Sequence, residues 1–315
     1  MHSCFYRLVI LACLLIFPPS SLPVSGAAKA GDLEDIRSPV MAGVWYPRKP
    51  ELLRKTVKEY LSGAGPQILD GEVKALIVPH AGYRYSGGIA GRAYRALKGR
   101  RITRVVMIGP SHRVGFGGIS VNLQAGYETP LGTVPVDMGT ARKLLDEGPP
   151  FRWLRQAHAS EHSLEVQLPF IQEVLGRVRI VPVIMGRQDF TTCSTLADTL
   201  VRVLGHCQDT LFLASTDLSH YHPYREARAM DGEFISHVAG LDARGLAEGL
   251  VKGRCEACGG GPVISAILAA GAMGADKAAI LGYATSGDVN GDRRRVVGYL
   301  AAALVRTSGK GPHPR

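Results

Sequence analysis

The stretch ALIVPHAGYRYSGG, residues 75–88, ends an apolar run on Pro-His and then turns. Ala75, Leu76, Ile77 and Val78 suit a pleated surface covered on both sides, so residues 73–78 read as a buried strand. Pro79 has no N–H for a ladder and stops it. His80 then stands at the strand's C-terminal end, where open α/β sheets bind their ligands. Gly82 lets the backbone turn, and Tyr83 and Tyr85 either wall a pocket or simply pack. The spacing predicts a helix over 87–97 with Ser86 as its N-cap, its free N–H groups available to an anion.

Outward from this stretch, apolar runs alternate with helical patterns. Strands are expected at 104–108, 179–185, 210–215, 278–284 and 296–305, and helices at 163–175 (despite Pro169), 196–204 and 262–272. Residues 118–137 alternate around Gly-rich turns and read as a hairpin insertion. Alternating strand and helix argues an α/β fold: a single domain over residues 31–310, with a mostly parallel central sheet flanked by helices. Residues 311–315 form a tail.

Residues 1–30 differ from the rest. Arg7 precedes an apolar stretch from Leu8 to Phe17, and Ala28-Lys29-Ala30 provides a small-residue site, the order of a secretory signal peptide. The apolar run is shorter than the roughly 20 residues of a membrane span. The chain is therefore expected to be exported, periplasmic or otherwise extracytoplasmic. If the leader is not cleaved, the protein is membrane-anchored or cytoplasmic. The formal net charge is +10, but the densest basic cluster is Arg293-Arg294-Arg295. A solvated basic surface explains that better than a nucleic-acid partner. Cys4 and Cys13 fall in the leader, leaving Cys193, Cys207, Cys255 and Cys258, too few for a disulfide scaffold in a chain of 315 residues.

The chemistry collects where strands end. One strand exits into Pro79-His80, a second into GPSH with His112, and a third into TDLSHYH with Asp217, His220 and His222. QAHASEHSLEVQLPF places His158, Glu161 and His162 just before a helix. Imidazoles and carboxylates gathered at one rim point to a metal site. Cys258 precedes three glycines and a helix start, where the dipole is expected to favour a thiolate. Cys255 and Cys258 form C-x-x-C, which also reads as half a zinc site, a redox pair or a disulfide. His158-Ala-Ser-Glu161-His162 fits H-x-x-E-H, the pattern of a zinc hydrolase, which needs both histidines on one helical turn. Ser160 is a better N-cap than helix interior, and it leaves His158 outside the helix.

Taken together, AGVWYP (42–47), PHAGYRYSG, GPSH, EHSLEVQLPF, STDLSHY and the Cys before GGGPV resemble the Memo family. The bacterial branch is called AmmeMemoRadiSam system protein B. The resemblance runs from about Pro39 to Val305. It implies a fold similar to class III extradiol dioxygenases, the LigB-like fold. It implies a metal pocket of His80, His112 and Cys258 holding a redox metal, iron or copper ahead of zinc. His220 falls where those dioxygenases keep an acid–base histidine, with Asp217 in the same motif as a second catalytic residue. Trp45, Tyr83, Glu161 and His162 are expected at the substrate. The implied function is a metal-dependent redox or oxygenase-like enzyme on an unknown small molecule. The alternative is a non-catalytic metal- or peptide-binding accessory protein, with AMMECR1-like and radical SAM proteins as system partners.

Overall fold

The computed structural model describes residues 35–66 and 69–308. The expected leader and tail lie outside the described residues. The strands are β1 (Ile36–Arg37), β2 (Glu72–Val78), β3 (Arg104–Pro110), β4 (Ile119–Val121), β5 (Gly126–Thr129), β6 (Gly132–Pro135), β7 (Phe151–Arg152), β8 (Arg179–Met185), β9 (Thr210–Ser215), β10 (His220–His222), β11 (Lys277–Thr285) and β12 (Val296–Arg306). The helices are α1 (Pro50–Gly63), α2 (Tyr83–Arg95), α3 (Met138–Asp146), α4 (Arg155–Ala159), α5 (Leu168–Leu175), α6 (Phe190–Leu204), α7 (Tyr224–Ala239), α8 (Ala243–Val251), α9 (Gly260–Ala272) and α10 (Ser286–Asn290). Among the described residues no helix is long and apolar enough to cross a membrane.

A nine-stranded mixed sheet runs in the order β10-β12-β2-β9-β3-β8-β4-β7, with β11 on the other side of β12. Helices flank it and one hydrophobic core runs through it. The expectation of a mostly parallel sheet holds at its centre, where β2, β9, β3 and β8 are parallel neighbours, and β4 and β7 pair parallel at one edge. On one flank β12 is antiparallel to both β2 and β11, and on the other β4 is antiparallel to β8. An apolar strand reads the same in either direction, so orientation was not legible in the sequence. The expected hairpin is β5–β6, which pairs with β1 in a separate three-stranded sheet.

Two helix boundaries moved for physical reasons. The expected helix over 163–175 is a 3₁₀ turn at Glu165–Gln167 followed by α5. Pro169 cannot sit inside a helix, but fits its first turn. Helix α2 starts at Tyr83, four residues before the expected start, with Gly82 as N-cap. Ser86 does not cap it, and donates instead to the carbonyl of Ala81 at 2.8 Å. The glycines of this stretch therefore do not cradle an anion. Gly87 and Gly91 let α1 approach: a Cβ at Gly91 would lie 2.5 Å from the backbone oxygen of Tyr60. Gly91→Ala is expected to destabilise the protein by about 1–3 kcal/mol through overpacking, read from urea unfolding. No measurable loss would mean that α1 yields freely.

Candidate metal centre

The parallel strands bring their C-terminal ends to one rim. Val78 of β2 is in register with Ser215 of β9, and Ile108 of β3 with Ala214. His80 and Asp217, each two residues beyond the paired Val78 and Ser215, come level. The Asp217 carboxylate accepts the backbone N–H of His80 at 2.8 Å. Burial pushes the Asp217 carboxyl up to about 7, against the backbone N–H groups of His80 and Ala81 that favour its anion. Asp217 thus holds the turn that carries His80. Burial, and then the neighbouring imidazoles of His112 and His162, hold His80 well below the usual histidine range, so its ring is neutral.

His112 reaches the same place from β3. Its backbone N–H and its Nδ1 approach the two oxygens of Glu161 at 2.6 and 2.9 Å. The same carboxylate accepts the backbone N–H groups of His162 and Ser163, each at 2.9 Å. Burial opposes ionisation of Glu161, but His112 and these N–H groups hold it down at about 2. An ionised carboxylate only accepts, so His112 donates from Nδ1, which leaves Nε2 as its metal-facing nitrogen. This is the carboxylate–histidine pairing that orients metal ligands. Glu161, expected at the substrate, has both oxygens engaged in orienting His112. His162 stacks on His112 with ring centroids 4.5 Å apart. Its buried Nδ1 has no hydrogen-bond partner among the described residues and lies 3.5 Å from Oε1 of Glu161.

Cys258 arrives from the far side, just before α9. Its Sγ lies 3.2 Å from Nε2 of His80, and the backbone N–H of Asp217 points to it at 3.3 Å. The loop is pressed onto β9: a Cβ at Gly259 would sit 2.3 Å from the carbonyl oxygen of Ser215, so only glycine fits. Gln188, which has no signature in sequence, clamps the loop by donating to the Cys258 carbonyl at 2.9 Å and accepting the Gly261 N–H at 2.8 Å. The expectation of a dipole-stabilised thiolate fails. Burial, with the nearby Asp217 charge, pushes the Cys258 thiol up instead.

One ligand atom each from His80, His112 and Cys258 lie within 4.8 Å of one another. Two imidazoles and a thiol suit a soft or borderline transition metal. Cys255 is outside this group. It is buried, and its sulfur would be 3.1 Å from a Cβ at Gly249, on the side of His237. Both cysteines are free, so the disulfide reading does not describe this structure.

A cavity of about 650 Å³ opens onto the centre, lined by Trp45, His80, Tyr85, His112, His162, Asp217, His220, Tyr221 and Tyr299 among others. Trp45 meets His162 edge-on at 4.5 Å. Burial lowers the pKa of His220, so it is a neutral base candidate at the cavity wall. It sits beside a bulge, where Tyr221 adopts φ 65° and β10 shifts register against β12. Such bulges re-aim side chains next to active sites. Tyr83 is a correction: its ring packs on Tyr46, Tyr60 and Phe170, and its hydroxyl donates to the Val166 carbonyl, so it belongs to the core. The zinc-hydrolase pattern dissolves as well. His158 is on α4 and His162 lies beyond its end. The ring of His158 is buried against Ser120 and Tyr127, at 2.9 and 3.0 Å.

Fold and site together define an α/β protein with a candidate two-histidine, one-cysteine metal site at the C-terminal ends of its parallel strands. The family described as Memo-like protein matches residues 37–303, and the chain belongs to that family. It is 38% identical over 281 residues to a MEMO1 family protein of Methanopyrus kandleri, covering 86% of this chain and 99% of the relative. A MEMO1 family protein of Thermotoga maritima is 38% identical over 279 residues, 85% of this chain and 99% of that one. One from Nitrosopumilus maritimus is 33% identical over 276 residues, 86% and 100%. An uncharacterized protein of Escherichia coli K12 shares the fold, with a TM-score of 0.50 at 14% identity over 74% of this chain and 100% of that one.

Proposed function

We propose that this chain binds one metal ion through His80, His112 and Cys258 and performs redox, oxygenase-like chemistry on a small molecule held in the adjoining cavity. The observation that carries the reading is the convergence of two imidazoles and a thiol within 4.8 Å, beside a cavity of about 650 Å³. Three protein ligands leave coordination positions for a substrate. Iron or copper bound there would supply one-electron chemistry, and zinc would supply Lewis acidity. The chain's own residues do the rest. Trp45, Tyr85 and Tyr299 present aromatic walls that orient a substrate. His220, neutral and facing the same cavity, accepts a proton from it. Asp217 and Glu161 keep the two histidines in place.

Elemental analysis of anaerobically purified protein, with its visible spectrum, tests the reading. About one iron or copper per chain is expected, with a thiolate-to-metal band. Because the buried Cys258 thiol is protonated without metal, a metal must displace that proton. Affinity should therefore rise by about tenfold per pH unit near neutrality, measured by chelator competition. Failure to bind iron, copper or zinc on reconstitution would overturn the proposal. Stoichiometric metal without turnover on any oxidisable small molecule would move the protein to the accessory class, binding without catalysis.

A further inference from the structure

Behind His80 lies a buried chain of hydrogen bonds whose proton directions follow from its acceptors. Nδ1 of His80 is 2.9 Å from Oγ of Ser215. Ser215 Oγ is also 2.7 Å from the carbonyl of Ser163 and 2.8 Å from the side-chain nitrogen of Gln167. That nitrogen is 3.0 Å from the carbonyl of Pro79, and the Gln167 side-chain oxygen accepts from the Tyr94 hydroxyl at 2.8 Å. Ser215, Gln167, His80 and Tyr94 are all buried.

Two of these groups, the carbonyls of Ser163 and Pro79, have no proton to give. The Ser163 carbonyl must take the only hydroxyl proton of Ser215. The Pro79 carbonyl takes one proton of the Gln167 amide, which fixes its orientation and aims the other proton at Ser215. Tyr94 completes the amide by donating to its oxygen. Ser215 then has one lone pair left facing His80, so His80 donates from Nδ1. Every contact then holds one proton, and no buried group is orphaned.

We propose that Ser215, held by the Ser163 carbonyl and the Gln167 amide, is a positioning residue that locks His80 as the Nδ1–H tautomer and so leaves its Nε2 lone pair free for a metal. The inference rests on the metal reading above for its purpose, but not for its test. It makes the two histidines unequal. His112 donates to an ionised carboxylate, which raises the basicity of its Nε2, whereas His80 donates to a neutral hydroxyl. The lock also explains the 3.2 Å contact between Nε2 of His80 and Sγ of Cys258. The sulfur of Cys258 faces that bare nitrogen, and the two atoms would serve together as ligands.

Long-range ¹H–¹⁵N correlation spectra of the metal-free, reduced protein labelled at histidine read the tautomer directly. Wild-type His80 is expected with Nδ1 protonated and Nε2 bare, the reverse of the tautomer that free neutral imidazole side chains favour. Ser215→Ala should move the proton to Nε2 and weaken cobalt(II) binding by about 10- to 100-fold, the usual cost of losing such a partner. Tyr94→Phe perturbs the same buried chain without touching Ser215. It should keep the Nδ1–H form and cobalt affinity within about threefold of wild type, whatever it does to stability. Wild-type His80 found as Nε2–H overturns the proposal without need of a variant, so a Ser215→Ala protein that fails to fold does not protect it. A folded Ser215→Ala protein that retains the Nδ1–H form and wild-type affinity overturns it equally. A wild-type protein that shows Nδ1–H yet binds no cobalt supports the lock and sinks the metal reading instead.

Discussion

Cys258→Ser is expected to lose its metal while keeping its fold. Removing a direct ligand should cost more than removing a supporting partner, so affinity for iron or copper should fall by at least about a hundredfold, and whatever still binds should shift toward harder ions that tolerate an oxygen ligand. The fold should be untouched, because serine is smaller than cysteine and the loop is held by other bonds. The N–H groups of Gly259 and Gly261 bond to Thr216 and Gln188, and neither involves the sulfur. Cys255→Ser should retain full metal, since Cys255 is not among the converging ligands. Metal content by elemental analysis, with thermal melts of the same samples, checks both. If both single variants keep full metal, Cys258 is no ligand. The site would then need Glu161 or His162, which form the other convergent group with His112.

The second large effect is expected outside the ligand set. Arg37 and Glu165 form a salt bridge of 2.8 Å with side-chain exposures of 2% and 0%. Arg37 also donates to the backbone carbonyls of His158 and Glu161, at 2.7 and 2.6 Å. Glu165 accepts the N–H groups of Val40 and Met41 and the hydroxyl of Tyr46. Arg37→Met would leave the Glu165 carboxylate buried without its cation and free two carbonyls of the segment that bears Glu161 and His162. A cost of about 3–5 kcal/mol is expected, because breaking a buried pair strands a charge. The urea midpoint should fall at unchanged slope. Metal affinity should fall with it, since Glu161 orients His112. A loss below about 1 kcal/mol would mean that water or a shift of Glu165 relieves the charge.

Arg37 also marks a limit of sequence reading. It lies 121 residues from His158 and 128 from Glu165, and no spacing rule connects them. Ser215, Gln167 and Gln188 are similar cases: common residues in strand, helix and loop, whose importance comes from what stands opposite them. His80, His112 and Asp217 were legible because each follows an apolar strand, and because parallel strands share one ligand-binding rim. Glu161 and Tyr83 were located, but not understood. Only their contacts show that the first serves His112 and the second serves the core. The H-x-x-E-H pattern illustrates the hazard. Two histidines at helical spacing meant nothing once the helix ended between them.

From local sequence alone came the strand exits, the histidines at them, the thiol before a glycine-rich helix start and the α/β class. Apolar runs, Pro and Gly act on their own neighbourhood, and so are readable there. Strand direction, the flanking antiparallel pairs, the protonation of Cys258, the tautomers of the two histidines and the split between ligand, support and core residues depended on tertiary structure. Each of these is set by burial or by a partner distant along the chain. Burial pushes the Cys258 thiol up, and two backbone carbonyls direct the protons around Ser215, because a buried polar group seldom goes without a partner.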